Sequence, residues 1–506
     1  MSATPPAGPV ARDVAVESAR FVPGERPTLT LSGTGRPGAL VLRGPRQDLP
    51  GTVIVDGDGW RAEFPLLVSR WRGALLPAPS GSYTAVQLAD DGSAAPLHAA
   101  EQTSDDILVP GWLRATAAVV DGVLRLELVP PLTDAERGRE NQAALENDYR
   151  SAKRAPLDAV FFESFYGQSA TCNPLALDRE FAATRPDIAR YWSVVDASVE
   201  VPEGSVALIE GSAEWWRIRG SARLLVVNDW LRNRFARRRF QTVLQTWHGT
   251  PLKKIALGRP GVGLRTALAT IRERGRWSIM LSQNAHSTAV FRSAYAFLGP
   301  IWQEGYPRDD ALVSPDPDAV RERLGLPRNV TVLLYAPTWR DDRPEHIDHL
   351  DVAAFTDALG PGYVTLIRGH SRTLLPGRDV RASNILDVTG YPDVTELFLV
   401  ADALITDYSS VMFDFSVTGK PMFFFAPDLD HYREQLRGFY FDLDAAAPGP
   451  VVQDAAELVG LVRDRDASSG LYAEKYAAWR ERFNPRDDGG SAARVVARLL
   501  KRGAVG

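Results

Sequence analysis

Residues 403–425, ALITDYSSVMFDFSVTGKPMFFF, decide the fold. They read as a buried strand, a tight polar turn, a short apolar helix, a glycine stop and a second buried strand, one unit of a parallel sheet. Comparable units lie on both sides. VTVLLYAP (330–337), YVTLIRGH (363–370), NILDVT (384–389), ADALIT (401–406) and KPMFFFAP (420–427) make one series. LDAVFF (157–162), SVALIE (205–210), RLLVVN (223–228), TVLQTW (242–247) and WSIMLS (277–282) make another, and AVRERLGLPRN (319–329), with helix and stop signals, separates the two. Two doubly wound α/β domains in succession create a cleft where the carboxyl ends of both sets of strands face a shared ligand.

Upstream the texture changes. TLTLSG (28–33), ALVLRG (39–44), TVIVDGDGW (52–60), YTAVQLADDG (83–92) and LRLELV (124–129) are short strands between Gly, Pro and Asp turns, which predicts an all-β sandwich over residues 1–132. It shows no constellation of acid, base and nucleophile. Residues 133–156 read as a helical connector with an Asp134 N-cap, 157–325 as the first Rossmann-like domain, and 326–506 as the second with a basic C-terminal helix.

Composition bounds the rest. The 506 residues are 45% hydrophobic and 24% charged, which excludes disordered, collagen-like and coiled-coil chains. A single cysteine, Cys172, excludes a disulfide framework and a Cys-based zinc site. The first residues lack the apolar core of a signal peptide and no stretch reaches the roughly 18 apolar residues of a membrane span, which predicts a cytoplasmic protein. The net charge of -5 argues against generic nucleic-acid binding but conceals a basic block. From Trp230 to Trp277 there are twelve Lys or Arg, among them Lys253, Lys254, Arg265, Arg272, Arg274 and Arg276, against one acid, Glu273. That block predicts a polyanionic partner or an anionic membrane surface, with a solvated helix face as the plainer alternative.

Chemistry gathers at strand ends. TVLQTW runs into His248, and Gly249 lets the chain turn directly after it. A histidine there can take a proton from an alcohol near neutral pH, or can simply brace the turn. Ser409 and Ser410 begin the helix of the opening segment, where free N–H groups bind phosphate; Asp407 or Ser409 can equally be an ordinary N-cap. Thr338 and Arg340 follow one strand, Arg368 and His370 another, and the two arginines suit a pyrophosphate. His370 can donate to a phosphoryl oxygen, and Asp414 can face the helix cap or a substrate hydroxyl. His346, Asp348, His349 and Asp351 read as a polar loop rather than a metal site, and GRPGVG (258–263) as a loop rather than a dinucleotide motif.

WHGTPLK (247–253), GYPRDD (305–310), YAPTWR (335–340) and TDYSSVMFDFSVTGKP (406–421), with FFESFYGQSATCNPLAL (161–177), together resemble the CDP-glycerol glycerophosphotransferase family of teichoic acid synthesis. The resemblance covers residues 155–485, about two thirds of the chain. It implies a GT-B-type pair of Rossmann-like domains, with the β-rich residues outside the family's catalytic region. It further implies transfer of glycerol phosphate from CDP-glycerol to the terminal hydroxyl of a poly(glycerol phosphate) or lipid-linked acceptor, releasing CMP. His248 is then the general base, His370 the second functional histidine, and Ser409 and Ser410 the phosphate turn. No cofactor and no metal is required. The expected setting is the inner face of the cell membrane, without nucleic acid, and a homo-oligomer is permitted. A CDP-ribitol transferase, a nucleotide-sugar glycosyltransferase and an inactive polymer- or membrane-binding scaffold are the competing readings.

Overall fold

A computed structural model of the protein describes residues 14–89, 93–100, 104–231, 234–338, 350–369, 384–428 and 438–506. Two parallel sheets dominate it. In the first, seven strands lie in the order Val206–Ile209, Ala189–Val194, Leu157–Glu163, Ala222–Val227, Thr242–Gln245, Ile279–Ser282 and Ile301–Gln303. In the second, six strands run Ile385–Asp387, Tyr363–Ile367, Thr331–Ala336, Ala403–Thr406, Met422–Phe425 and Val451–Val452. All neighbours are parallel. The central strands are buried on both faces, as ALIT and MFFF are throughout, because helices cover both sides of a parallel sheet. In each sheet the first strand in the chain lies between the second and the fourth, so the strand order reverses there and the following loops diverge into a crevice.

Two helices depart from the expected boundaries. The connector helix is Gly138–Ser151 and does not begin at Asp134, whose carboxylate pairs with Arg114 at 2.8 Å. Its buried Tyr149 packs on Trp216, so the helix belongs to the first half. The C-terminal helix Ser491–Lys501, assigned from sequence to the second half, returns to the first. Val495, Val496 and Leu499 enter the core around Trp192 and Leu224. Its apolar stripe at i, i+1 and i+4 finds a matching surface there.

From Ala15–Val22 to Val123–Val129 the described elements are strands, mostly antiparallel, joined in one sheet around a core that includes Trp60, Phe64, Tyr83 and Leu126. A separate hairpin, Leu67–Ser69 with Leu75–Pro77, projects from it. Among the described residues no helix is long and apolar enough to cross a membrane.

Candidate active site

On the first half the site is assembled at the reversal of strand order. Asn228 follows the strand Ala222–Val227, accepts from the Phe165 N–H at 2.9 Å and donates to Ser164 Oγ at 2.9 Å, tying together the two strand ends. Its backbone carbonyl lies 2.7 Å from His248 Nδ1. A carbonyl can only accept, so the neutral imidazole carries its hydrogen on Nδ1 and leaves the Nε2 lone pair to accept a proton. The ring is half-buried, stacked on Trp247 at 4.8 Å with Phe165 at 5.6 Å. Trp247 takes a left-handed backbone with φ 57°, a conformation that costs a bulky residue about 1–3 kcal/mol and persists where the surroundings fix it. They do so here: Gln245 Oε1 accepts from its N–H at 2.9 Å and Asn173 Nδ2 donates to its carbonyl at 3.1 Å.

The second half supplies the opposite wall. Ser410 immediately precedes the helix Val411–Phe415, and its side chain does not cap it. Ser409 stands beside it, half-buried. A Cβ added to Gly249 would stand 3.0 Å from Ser410 Oγ, so a larger residue there would press on the serine hydroxyl. Lys253 Nζ donates to Thr338 Oγ1 at 3.4 Å, and the Lys254 N–H to the Gly438 carbonyl at 3.1 Å. His248, Gly249, Lys253, Thr338 and Ser410 are thus brought together across the crevice.

Other expected ligands are turned away from it. Asp407 is buried, with both carboxylate oxygens accepting from the Thr338 N–H at 2.9 and 3.0 Å, so it braces the reversal point. Asp414 is buried against Arg308 and faces no substrate hydroxyl. Arg368 donates to the carbonyls of Val388 at 3.3 Å and Tyr391 at 2.7 Å, and burial lowers its pKa to about 10, which leaves it charged at neutral pH. Its bonds hold the loop after Ile385–Asp387 in place of a pyrophosphate. Arg340 and His370 lie outside the described residues, as do His346, Asp348 and His349. Asp351 caps a helix through the Ala354 N–H at 2.9 Å.

The sequence quoted GYPRDD without assigning it a role, yet its Arg308 is the hub beneath the site. Arg308 Nε and Nη2 donate to Asp414 Oδ1 at 2.9 and 2.6 Å, Nη2 also to the His248 carbonyl at 3.1 Å, and Nη1 to Cys172 Sγ at 3.2 Å. Asp309, wholly buried, is pushed far above the ordinary carboxylate range by burial first and then by Asp414 and Asp487, against the pull of Arg308. Gln283 Nε2 bridges Asp309 at 3.0 Å and Asp487 at 2.9 Å, and burial pushes Asp487 up to about 7. The legible signal was an Arg-Asp-Asp run a few residues after the strand Ile301–Gln303. Such a charged run ordinarily lies at the surface, which hid it.

The basic block divides. Arg276 is 11% exposed, paired with Glu273 at 2.6 Å and bonded to the Leu231 carbonyl, and so drops out as a surface contact. Glu273 is itself buried, which raises its pKa against the pull of Arg276. Arg265 and Arg272 are exposed on the helix Leu264–Arg274, Arg274 is half-exposed, and beside them Leu264 is 85% and Leu268 64% exposed.

Comparison with known proteins finds the same family as the sequence motifs. Residues 148–501 match the model of the CDP-Glycerol:Poly(glycerophosphate) glycerophosphotransferase family. The chain is 34% identical over 375 residues to the teichoic acid poly(glycerol phosphate) polymerase of Bacillus subtilis (strain 168), covering 70% of this chain. It spans about half, 50%, of that relative's length. It is 34% identical over 366 residues to the teichoic acid glycerol-phosphate transferase of Staphylococcus aureus (strain NCTC 8325 / PS 47), covering 68% of this chain and 92% of the relative. Among solved structures, the wall teichoic acid polymerase TagF superposes with a TM-score of 0.66 at 32% identity, over 72% of this chain and 94% of that one. The α/β fold with parallel sheets is common to both.

Proposed function

The chain belongs to the CDP-glycerol:poly(glycerophosphate) glycerophosphotransferase family, and from that premise we propose that it transfers glycerol phosphate from CDP-glycerol to the terminal hydroxyl of a poly(glycerol phosphate) or lipid-linked acceptor. The observation that carries this is the His248 ring, fixed through Nδ1 on the Asn228 carbonyl with Nε2 left to accept. The acceptor hydroxyl gives its proton to Nε2 while its oxygen bonds to the β-phosphorus. The bond from that phosphorus to the bridging oxygen breaks, CMP leaves with the electron pair, and a phosphodiester remains. Developing charge on the phosphoryl oxygens is met by Lys253, Ser409, Ser410 and the first N–H groups of the following helix, with Arg340 and His370 as the family motif's further contributors. No resident cofactor or metal is invoked.

In this reading the two halves form a GT-B-type pair and the β-rich residues an accessory domain. Exposed Leu264 and Leu268, flanked by Arg265 and Arg272, support peripheral docking on the anionic inner face of the cell membrane.

CMP release tests the proposal. Release is expected from CDP-glycerol only with a glycerol-phosphate acceptor, and His248→Ala should lower it about 10²–10⁴-fold while the chain stays folded. Turnover with CDP-ribitol or a UDP-sugar and none with CDP-glycerol would reject the donor, and normal release by His248→Ala would reject the base.

A further inference from the structure

A cavity of about 780 Å³ lies where the N-terminal β-sheet meets both α/β halves. Its walls include the tip of the projecting hairpin with Arg70 and Trp71, the helix Cys172–Thr184 with Arg179, the segment holding Tyr391 and Asp393, and a further segment with Glu200 and Glu203. The volume is that of a ligand site.

The cavity adjoins the site already described. Thr171 on its wall precedes Cys172, whose Sγ accepts from Arg308, and the same loop begins at Phe165, the ring beside His248. The hairpin is anchored on the second half. Arg70 Nη2 donates to the Gly390 carbonyl at 3.2 Å, Arg72 Nη1 to the Glu322 carbonyl at 2.9 Å, and Trp71 meets Tyr391 edge-on at 5.4 Å. At the other side Asp196 of the first half accepts from the Ser80 N–H at 2.9 Å and from Arg46. The β-sheet therefore closes one end of the crevice.

Its arginines are not equivalent. Arg190 is neutralised by Asp178, Arg323 by Glu396 and Arg46 by Asp196. Arg179 has no hydrogen-bonded or ion-pair partner among the described residues, and the Arg70 guanidinium donates to a carbonyl, with Asp196 acting on it only through space. Two guanidinium groups held in no ion pair thus line one space, an arrangement that suits a phosphate. Asp393 beside them is buried, its carboxyl pushed up by burial and by Glu396 against the pull of Arg179. The Trp71–Tyr391 pair offers an apolar wall to carbon units. Cations interleaved with aromatic surface match a chain in which phosphates alternate with short polyol units.

We propose that this cavity is a subsite for the acceptor polymer, holding a phosphodiester between Arg70 and Arg179 some units behind the reacting hydroxyl. The inference rests on the transfer reaction proposed above. Through Arg70 and Trp71 the N-terminal sheet then sets a preference for longer acceptors.

The test uses the full chain with oligo(glycerol phosphate) of two and of eight units, read both by titration calorimetry and by KM for CMP release. Arg179→Ala, which removes an exposed side chain without partners, is expected to weaken the eight-unit oligomer about tenfold. It should leave the two-unit oligomer and the KM for CDP-glycerol unchanged. Arg179→Lys should retain most of the binding, and Arg70→Ala should act as Arg179→Ala does. Equal weakening at both lengths, or none at either, overturns the subsite. Length-dependent binding lost in Arg179→Ala but without CMP release upholds the subsite and rejects the transfer reading.

Discussion

Arg308 in the first half and Asp414 in the second form a buried ion pair in which one carboxylate oxygen receives both guanidinium bonds, at 2.9 and 2.6 Å. The same guanidinium donates to the backbone carbonyl of His248. Contact between the halves and the placement of His248 therefore share one residue.

Removing one partner leaves the other charge buried and unpaired, which costs about 3–5 kcal/mol. Asp414→Ala should lower the unfolding free energy by that amount in denaturant titration. Replacing both residues with leucine should cost much less, because no charge is then stranded. A double variant as unstable as the single one would show that the site depends on more than the pair.

Gly249 faces Ser410 across the crevice, where an added Cβ would stand 3.0 Å from Oγ and 3.3 Å from the serine Cβ. Gly249→Ala should reduce kcat for CMP release at least tenfold with the melting temperature nearly unchanged, because the surface loops can separate without unfolding. Combining it with Ser410→Gly should restore the close approach. The pair is then expected to be non-additive in a double-mutant cycle.

Burial pushes Asp487 up to about 7 and shifts Asp309 in the same direction. For a group whose folded pKa is raised, the stabilisation is complete below the unfolded carboxylate value and is lost as pH rises through the folded one. His286, lowered by burial, acts in the opposite sense at the acid end. The fall is therefore read above it: melting temperature should decline from pH 6.5 to pH 8. Asp487→Asn, a neutral isostere, should flatten that decline, and an equally steep curve in the variant would remove Asp487 from the account.

Leu264 and Leu268 stand exposed on the helix Leu264–Arg274, beside Arg265 and Arg272. Burying a leucine in lipid gains about 1.5–3 kcal/mol, so Leu264→Ser with Leu268→Ser should reduce flotation with anionic vesicles more than tenfold. Arg265→Glu with Arg272→Glu should abolish the preference for anionic over neutral vesicles. Equal flotation of all variants would place the contact elsewhere.

The repeating strands were legible because buried parallel strands are written as runs such as ALIT and MFFF, whatever surrounds them. His248, Gly249 and Ser410 were legible for a related reason: each lies in the short loop after a strand, and strand ends converge in this topology. Asp407 and Arg368 follow strands just as closely, yet they point into backbone. Strand position specifies where the main chain goes, and the rotamer and the neighbours decide where the side chain goes.

The sequence by itself determined the alternation of strands and helices, the family, and the loops that carry the reacting groups, because these follow from local periodicity and short contiguous motifs. Only the tertiary structure decided that Arg308 joins Asp414 from 106 residues away and that the last helix packs on the first half. It also showed the hairpin around Trp71 reaching Tyr391. Each of these is an encounter between distant segments, fixed by burial, charge pairing and shape complementarity, none of which is written in the neighbourhood of either residue.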